Sequence, residues 1–164
     1  KEITQLMPPE KIKNEDIVSR SIYRPKDYLP DNLAFLDLHR SFTFQSANKY
    51  CDSVNCHRLV GDDAQQLHAL GIRKQDNDNA RLVSQGRLPE REYTGFVPAV
   101  TGKIRKDAKA EDIHFDVEHV PENGNDAHCH LQMKFSGEKP HRNRRNTAIT
   151  RLCDCFEDLV PAVG

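Results

Sequence analysis

The residues best suited to chemistry sit in two alternating segments. In residues 113–119 the polar His114, Asp116 and Glu118 alternate with Ile113, Phe115 and Val117. In residues 127–135, His128, His130, Gln132 and Lys134 alternate with Cys129, Leu131, Met133 and Phe135. A period of two is the pattern of a half-buried strand. The intervening Asn123-Gly124 is a strong hairpin signal. Residues opposed on paired strands project from the same face, so this hairpin can gather His114, Asp116 and Glu118 with His128 and His130. Imidazoles and carboxylates are the ligands that suit zinc, manganese or iron. One expectation is therefore a divalent metal held by His114, His128 and His130. Glu118 or Asp116 would then serve as base toward a metal-bound water, giving a metal-dependent phosphodiesterase or nuclease. The competing explanation needs no chemistry, because a sheet face turned to solvent carries polar residues at alternate positions anyway. His119 falls on the apolar side of its strand, as expected of a buried histidine with its hydrogen bonds satisfied.

A second cluster, within the basic segment 139–151, holds Lys139, His141, Arg142, Arg144, Arg145 and Arg151. The planar guanidinium suits phosphate, and the segment leads into a helical pattern whose N-terminus favours anions. Arg142, Arg144 and Arg145 are thus expected to contact phosphate or an acidic partner. Phe135 and Phe156 fit the core pattern, so the stacking rings of a single-strand binder are missing from this segment.

The five cysteines are Cys51, Cys56, Cys129, Cys153 and Cys155. An odd number fits a reducing compartment better than a disulfide framework, which places the chain in the cytoplasm. Their spacings match a zinc site poorly, and small buried thiols explain them as well. Dinucleotide, phosphate-loop, nucleophile-elbow and HExxH zinc-protease motifs are absent. A nucleophile built from Cys56 and His57 is disfavoured, since adjacent strand residues face opposite sides.

These residues must be positioned by one modest core. The chain has 164 residues, 37% hydrophobic and 30% charged, with 24 basic and 25 acidic side chains. That length is one domain's worth, and the near balance of charge argues against a uniformly cationic coat and against a membrane-surface protein. No apolar run approaches the roughly 20 residues of a membrane span. The first residues show no secretory signal.

Residues 1–32, with four prolines, read as an N-terminal arm containing at most a short helix near 9–14 and a strand over 17–23. Residues 33–164 read as a single domain. A helix is expected over 62–70, opened by Asp62-Asp63-Ala64-Gln65 and ended by Gly71, with 73–80 an exposed polar loop. Short strands are expected at 82–83, 93–100 and 102–105, with Pro89 and Pro98 confining them to edges or bulges. Residues 137–150 read as a loop. Ile149, Leu152, Cys153, Phe156, Leu159 and Val160 then share one face of a C-terminal amphipathic helix. The fold class that follows is α+β, a mainly antiparallel sheet of about five or six strands with a short helix and a C-terminal helix.

Ser53-Val54 with Leu59, the 95–102 strand region, and Pro121-Glu122-Asn123 leading into Asn125-Asp126-Ala127-His128-Cys129 resemble a group of small uncharacterised bacterial domains. Those domains end in a strand pair with a short Asn-Pro-Ala-His-Ala motif. Here Asp126 stands in place of the motif's Pro and Cys129 in place of its second Ala. The resemblance spans residues 20 to 135. It implies a bacterial cytoplasmic companion of other modules, implies no activity, and draws attention to His128. Three functions are therefore expected: a non-enzymatic interaction module binding another protein within a bacterial multi-component assembly, the metal-dependent phosphodiesterase or nuclease, or a nucleic-acid-binding domain using the basic segment.

Overall fold

In the computed structural model, which describes residues 5–162, the organising element is a seven-stranded antiparallel sheet in the order β6-β7-β8-β4-β1-β5-β9. Its strands are β1 (Ile17–Arg24), β4 (Cys51–Cys56), β5 (Glu92–Val100), β6 (Lys109–Ala110), β7 (Ile113–His119), β8 (His128–Lys134) and β9 (Val160–Pro161). A separate hairpin joins β2 (Tyr28–Leu29) to β3 (Asn32–Leu36). The helices are α1 (Leu38–Ser41), α2 (Ala64–Ser84), α3 (Thr101–Asp107) and α4 (Arg142–Cys153). The α+β class with a mainly antiparallel sheet is therefore observed. Among the described residues no helix is long and apolar enough to cross a membrane.

The alternation in β7 and β8 does what the period demands. Phe115 pairs with Met133 and Val117 with Leu131, all four buried. With Val18, Val54 and Cys129 they form one side of the main core, and Ile104 of α3 and Ala148, Ile149 and Leu152 of α4 close it from the other. The opposite face of the sheet receives α2, which packs on β5 and β1. Leu67 and Gly71 are buried in that contact, and the Tyr93 ring lies so close to Gly71 that a Cβ there would overlap it. This close approach, and not a chain reversal, is what the glycine provides.

Helix α2 is 21 residues long, so the expected stop at Gly71 and the loop at 73–80 are corrected. The polar residues responsible for that reading hold the helix to the sheet. Gln75 accepts the Tyr93 N–H at 2.7 Å, and Asn79 both donates to the Arg91 carbonyl and accepts its N–H, at 3.0 and 2.9 Å. Tertiary bonding overrides weak local propensity here. Asp63 caps the helix by accepting the Gln65 N–H at 2.9 Å.

Residues 82–83 belong to α2 and 102–105 to α3, where strands are expected from sequence. In α3 about two turns suffice to seat Ile104 in the core. The loop expected up to residue 150 is helical from Arg142. The expected C-terminal helix ends at Cys153, after which Phe156 bridges to Ala99 and Val160 pairs with Phe96. Residues 9–14 are not helical, and 17–24 form β1, an interior strand between β4 and β5.

Candidate functional site

Helix α2 covers only the β5 and β1 half of its face. Strand pairing continues that face from Ser19 of β1 to Asn55 of β4 and from Asn55 to His128 of β8, with Ser53 opposite His130. Ser19 is buried, while Asn55, His128, Ser53 and His130 line an opening beyond the helix. Between them and the flank of α2 runs a cleft of about 790 Å³. One end is bounded by the turn at 122–125 and the other by the loop at 43–49.

Seven cationic side chains line the cleft: Arg20, Lys26, Lys49, Arg73, Lys74, Arg81 and Arg91. Only Asp52, Asp78 and Glu122 oppose them. In a chain with 24 basic and 25 acidic residues, this is a concentrated positive site. The acids are also partly committed. Asp52 accepts the Thr43 and Phe44 N–H groups, and Asp78 pairs with Lys74 and Arg81 of its own helix. Lys26 meets the buried Asp27 at 3.1 Å. Even so, burial first, and then the Arg20 and Arg91 charges, pull its pKa below the ordinary lysine value. Crowded cations of this kind repel one another until an anion arrives.

The turn beside the cleft is tied down by hydrogen bonds. Glu122 and Asn125 exchange backbone hydrogen bonds at 3.0 and 2.9 Å, and Gly124 takes φ +81°. Arg73 donates to the Gly124 carbonyl at 2.6 Å, tying α2 to the hairpin turn across the end of the cleft. Asn125 donates to Asn55 at 2.9 Å, which fixes the turn to β4.

His128 sits behind this turn, 5% exposed. Its Nδ1 is 2.7 Å from the Val120 carbonyl, a partner that can only accept, so Nδ1 carries the proton. Nε2 is left as the acceptor for the Ser53 hydroxyl at 3.0 Å, with the Glu122 carboxylate 3.2 Å away. Burial lowers the His128 pKa below the ordinary histidine value. The Val120 hydrogen bond and Glu122 oppose this, and His130 and Lys74 reinforce it. The neutral imidazole is thereby favoured.

The residues singled out from sequence are distributed differently from the expectation. His128 and His130 are adjacent, with ring centroids 5.3 Å apart. Glu118 is opposite His130, but Asp116 is opposite Gln132 and bonded to Arg105 at 2.7 Å, and His114 is opposite Lys134. His114 is therefore two same-face positions from the His130 rung, about 13 Å along a strand. Among the described residues no group of three or more His, Cys, Asp or Glu is arranged to hold a metal. His119 has both ring nitrogens bonded, to the Glu10 N–H and the Asp126 carbonyl.

The arginine cluster lies on α4, which packs on β6, β7 and α3 and does not line the cleft. Arg142 is exposed, Arg144 pairs with Glu111 and Asp112, and Arg145 is half-buried. The cysteines are all free. Burial pushes the Cys129 and Cys153 thiols up to about 12, which keeps them protonated and poorly nucleophilic.

Sequence reasoning missed Ser53, Glu122 and the cations of α2. The signal was present: Arg73, Lys74, Asn77, Asp78 and Arg81 recur at helical spacing. It was hidden because the segment reads as a loop. Comparison with protein-family models, with curated proteins and with solved structures finds no match to this chain.

Proposed function

We propose that this protein binds nucleic acid, with the cleft beside α2 holding a short stretch of phosphate backbone. The observation that carries this reading is the excess of seven cationic over three acidic side chains around one 790 Å³ concavity. Phosphate neutralisation supplies most of the affinity in such sites. A volume of this size also lies in the range of ligand clefts. The binding surface proposed is the cleft, in place of the 139–151 segment, because Arg144 there is already neutralised by Glu111 and Asp112. No metal-dependent activity is put forward, since Glu118 alone of the three strand residues meets His130, while His114 lies two same-face positions away and Asp116 is bonded to Arg105.

Fluorescence anisotropy with a labelled oligonucleotide tests this reading. Arg73→Glu with Arg91→Glu is expected to weaken binding at least tenfold, while Arg142→Glu with Arg145→Glu leaves it within twofold. Equal loss in both variants, or no binding by the native chain at low salt, contradicts the proposal.

A second reading, an interaction module that docks another protein, has its own observation. The β2–β3 hairpin presents Leu29, Leu33 and Phe35 at 41%, 43% and 59% exposure, apolar groups grouped away from the main sheet. Phe35→Ser with Leu33→Ser should abolish capture of a specific partner and leave oligonucleotide binding intact. Retained capture would remove this reading.

A further inference from the structure

We propose that Ser53 is a nucleophile toward the phosphorus of phosphodiesters bound in the cleft, with His128 as its general base. The inference rests on the phosphate-binding reading of the cleft and adds a reaction to it. Three independent features of the geometry lead there. The Ser53 hydroxyl is 3.0 Å from His128 Nε2, within reach for proton transfer. The other ring nitrogen is committed to the Val120 carbonyl at 2.7 Å, which fixes the tautomer that leaves Nε2 basic. Both side chains line the same cationic cleft, where an anionic substrate meets less repulsion from the attacking oxygen. A serine that served only to satisfy a buried histidine would not need to line a cleft or to share it with seven cations.

The surrounding residues fit defined roles. Glu122, 3.2 Å from Nε2 and 57% exposed, can stabilise the imidazolium that forms when His128 takes the proton. It acts through His128 and is a positioning residue. His130 lies directly across from Ser53 in the strand pairing, edge-on to the His128 ring. Burial keeps His128 neutral near pH 7, as a base requires.

The reaction balances without any group beyond water. Ser53 Oγ forms a bond to phosphorus as its proton passes to His128 Nε2. The bond from phosphorus to one ester oxygen breaks, and that oxygen leaves as an alcohol by taking the proton from His128. Water then attacks the serine phosphodiester and gives a proton to His128. The bond from Ser53 Oγ to phosphorus breaks, and the serine recovers its proton from His128. The products are an alcohol and a phosphate monoester.

The test uses two probes on the full chain. Diisopropyl fluorophosphate reports nucleophilicity directly: Ser53 Oγ displaces fluoride, and peptide mass spectrometry locates the added group. Bis(p-nitrophenyl) phosphate reports turnover as released p-nitrophenolate. The native chain should gain the mass at Ser53 and release p-nitrophenolate. Ser53→Ala should do neither. His128→Asn keeps a donor for Val120 but lacks Nε2, and should slow both reactions at least 100-fold. Glu122→Gln should lower turnover severalfold without altering the unfolding midpoint. Turnover by the native chain should rise with pH, with a midpoint below the ordinary histidine value of 6.5.

Oligonucleotide binding is measured on the same samples, so the two readings separate. Binding without Ser53 labelling or turnover overturns the nucleophile and leaves the binding domain. Labelling and turnover without oligonucleotide binding uphold the nucleophile and remove the nucleic-acid reading. If His128→Asn does not fold, turnover by folded Ser53→Ala at the native rate still overturns the proposal.

Discussion

Replacing Gly71 with alanine sets two magnitudes against each other. In a helix interior the change should stabilise by about 1 kcal/mol, because glycine has more backbone freedom to lose. Against this, the new Cβ overlaps the Tyr93 ring, which is only 6% exposed and has little room to move. Either the ring swings away or α2 lifts. Swinging the ring breaks its 2.7 Å hydrogen bond with His68 and the tilted pairing with Tyr23 at 5.7 Å. Lifting the helix breaks the 2.9 Å bond from the Tyr23 hydroxyl to the Gly71 carbonyl. A hydrogen bond contributes about 1 kcal/mol, an aromatic pair about 1 and overpacking costs about 1–3. The net expectation is about 2 kcal/mol of destabilisation, or roughly 4–8 °C in Tm for a chain of this length. Calorimetry and urea unfolding measure it, with an unchanged urea slope showing that the denatured state is not involved. A Tyr93→Leu background should relieve most of the cost. A Tm equal to or above the native value would refute the reasoning, since propensity would then have outweighed the packing.

Gly124→Ala places a side chain at φ +81° and against the Arg73 guanidinium. Because that guanidinium is the far end of a flexible chain, the cost should be about 1–2 kcal/mol, mostly backbone strain. The protein should remain folded by circular dichroism while oligonucleotide affinity falls severalfold; unchanged affinity would detach Arg73 from the site. Burial holds the pKa values of His57, His68 and His128 below the ordinary 6.5. The unfolded chain therefore binds more protons below that pH. Stability should be full above about pH 6.5 and fall as the pH drops below it. Urea midpoints between pH 8 and 5 test this, and a flat profile contradicts it. Burial pushes the Asp16 carboxyl up, but Arg58 and the Lys13 N–H outweigh it and hold it below 3.8. Asp16→Asn should remove stability that is present above pH 3.8 and lost at lower pH, read as a smaller gap between native and variant midpoints at pH 3 than at pH 7.

The hairpin was legible because its two determinants are local: period-two alternation fixes the faces, and Asn123-Gly124 fixes the turn. The register then follows, and with it the neighbourhood of His128 and His130. The second half of α2 was not legible. Gln75 and Asn79 favour loops on their own, and only Arg91 and Tyr93, at the start of β5 and more than ten residues away, supply the backbone groups they bond. The same holds for 102–105, where Thr101-Gly102-Lys103-Ile104 has no helical period and the helix forms because Ile104 fits the core. The cleft combines both cases. Part of its floor, the His128 and His130 strand, is legible, but its wall of cations exists only once Arg73, Lys74 and Arg81 are helical. Asp116 was misjudged for a related reason: alternation gives its face, but not that Arg105 reaches it.

The central claim is that the cleft binds through phosphate contacts, and a salt titration of oligonucleotide affinity addresses it most directly. The excess of four cations over acids around the cleft, at about 0.7 per phosphate for a single strand, predicts a slope near −3 for log K against log salt. Arg73→Glu with Arg91→Glu should bring that slope close to zero along with the affinity. A slope unchanged by those substitutions, but removed by Arg142→Glu with Arg145→Glu, would place binding on α4 and contradict the account.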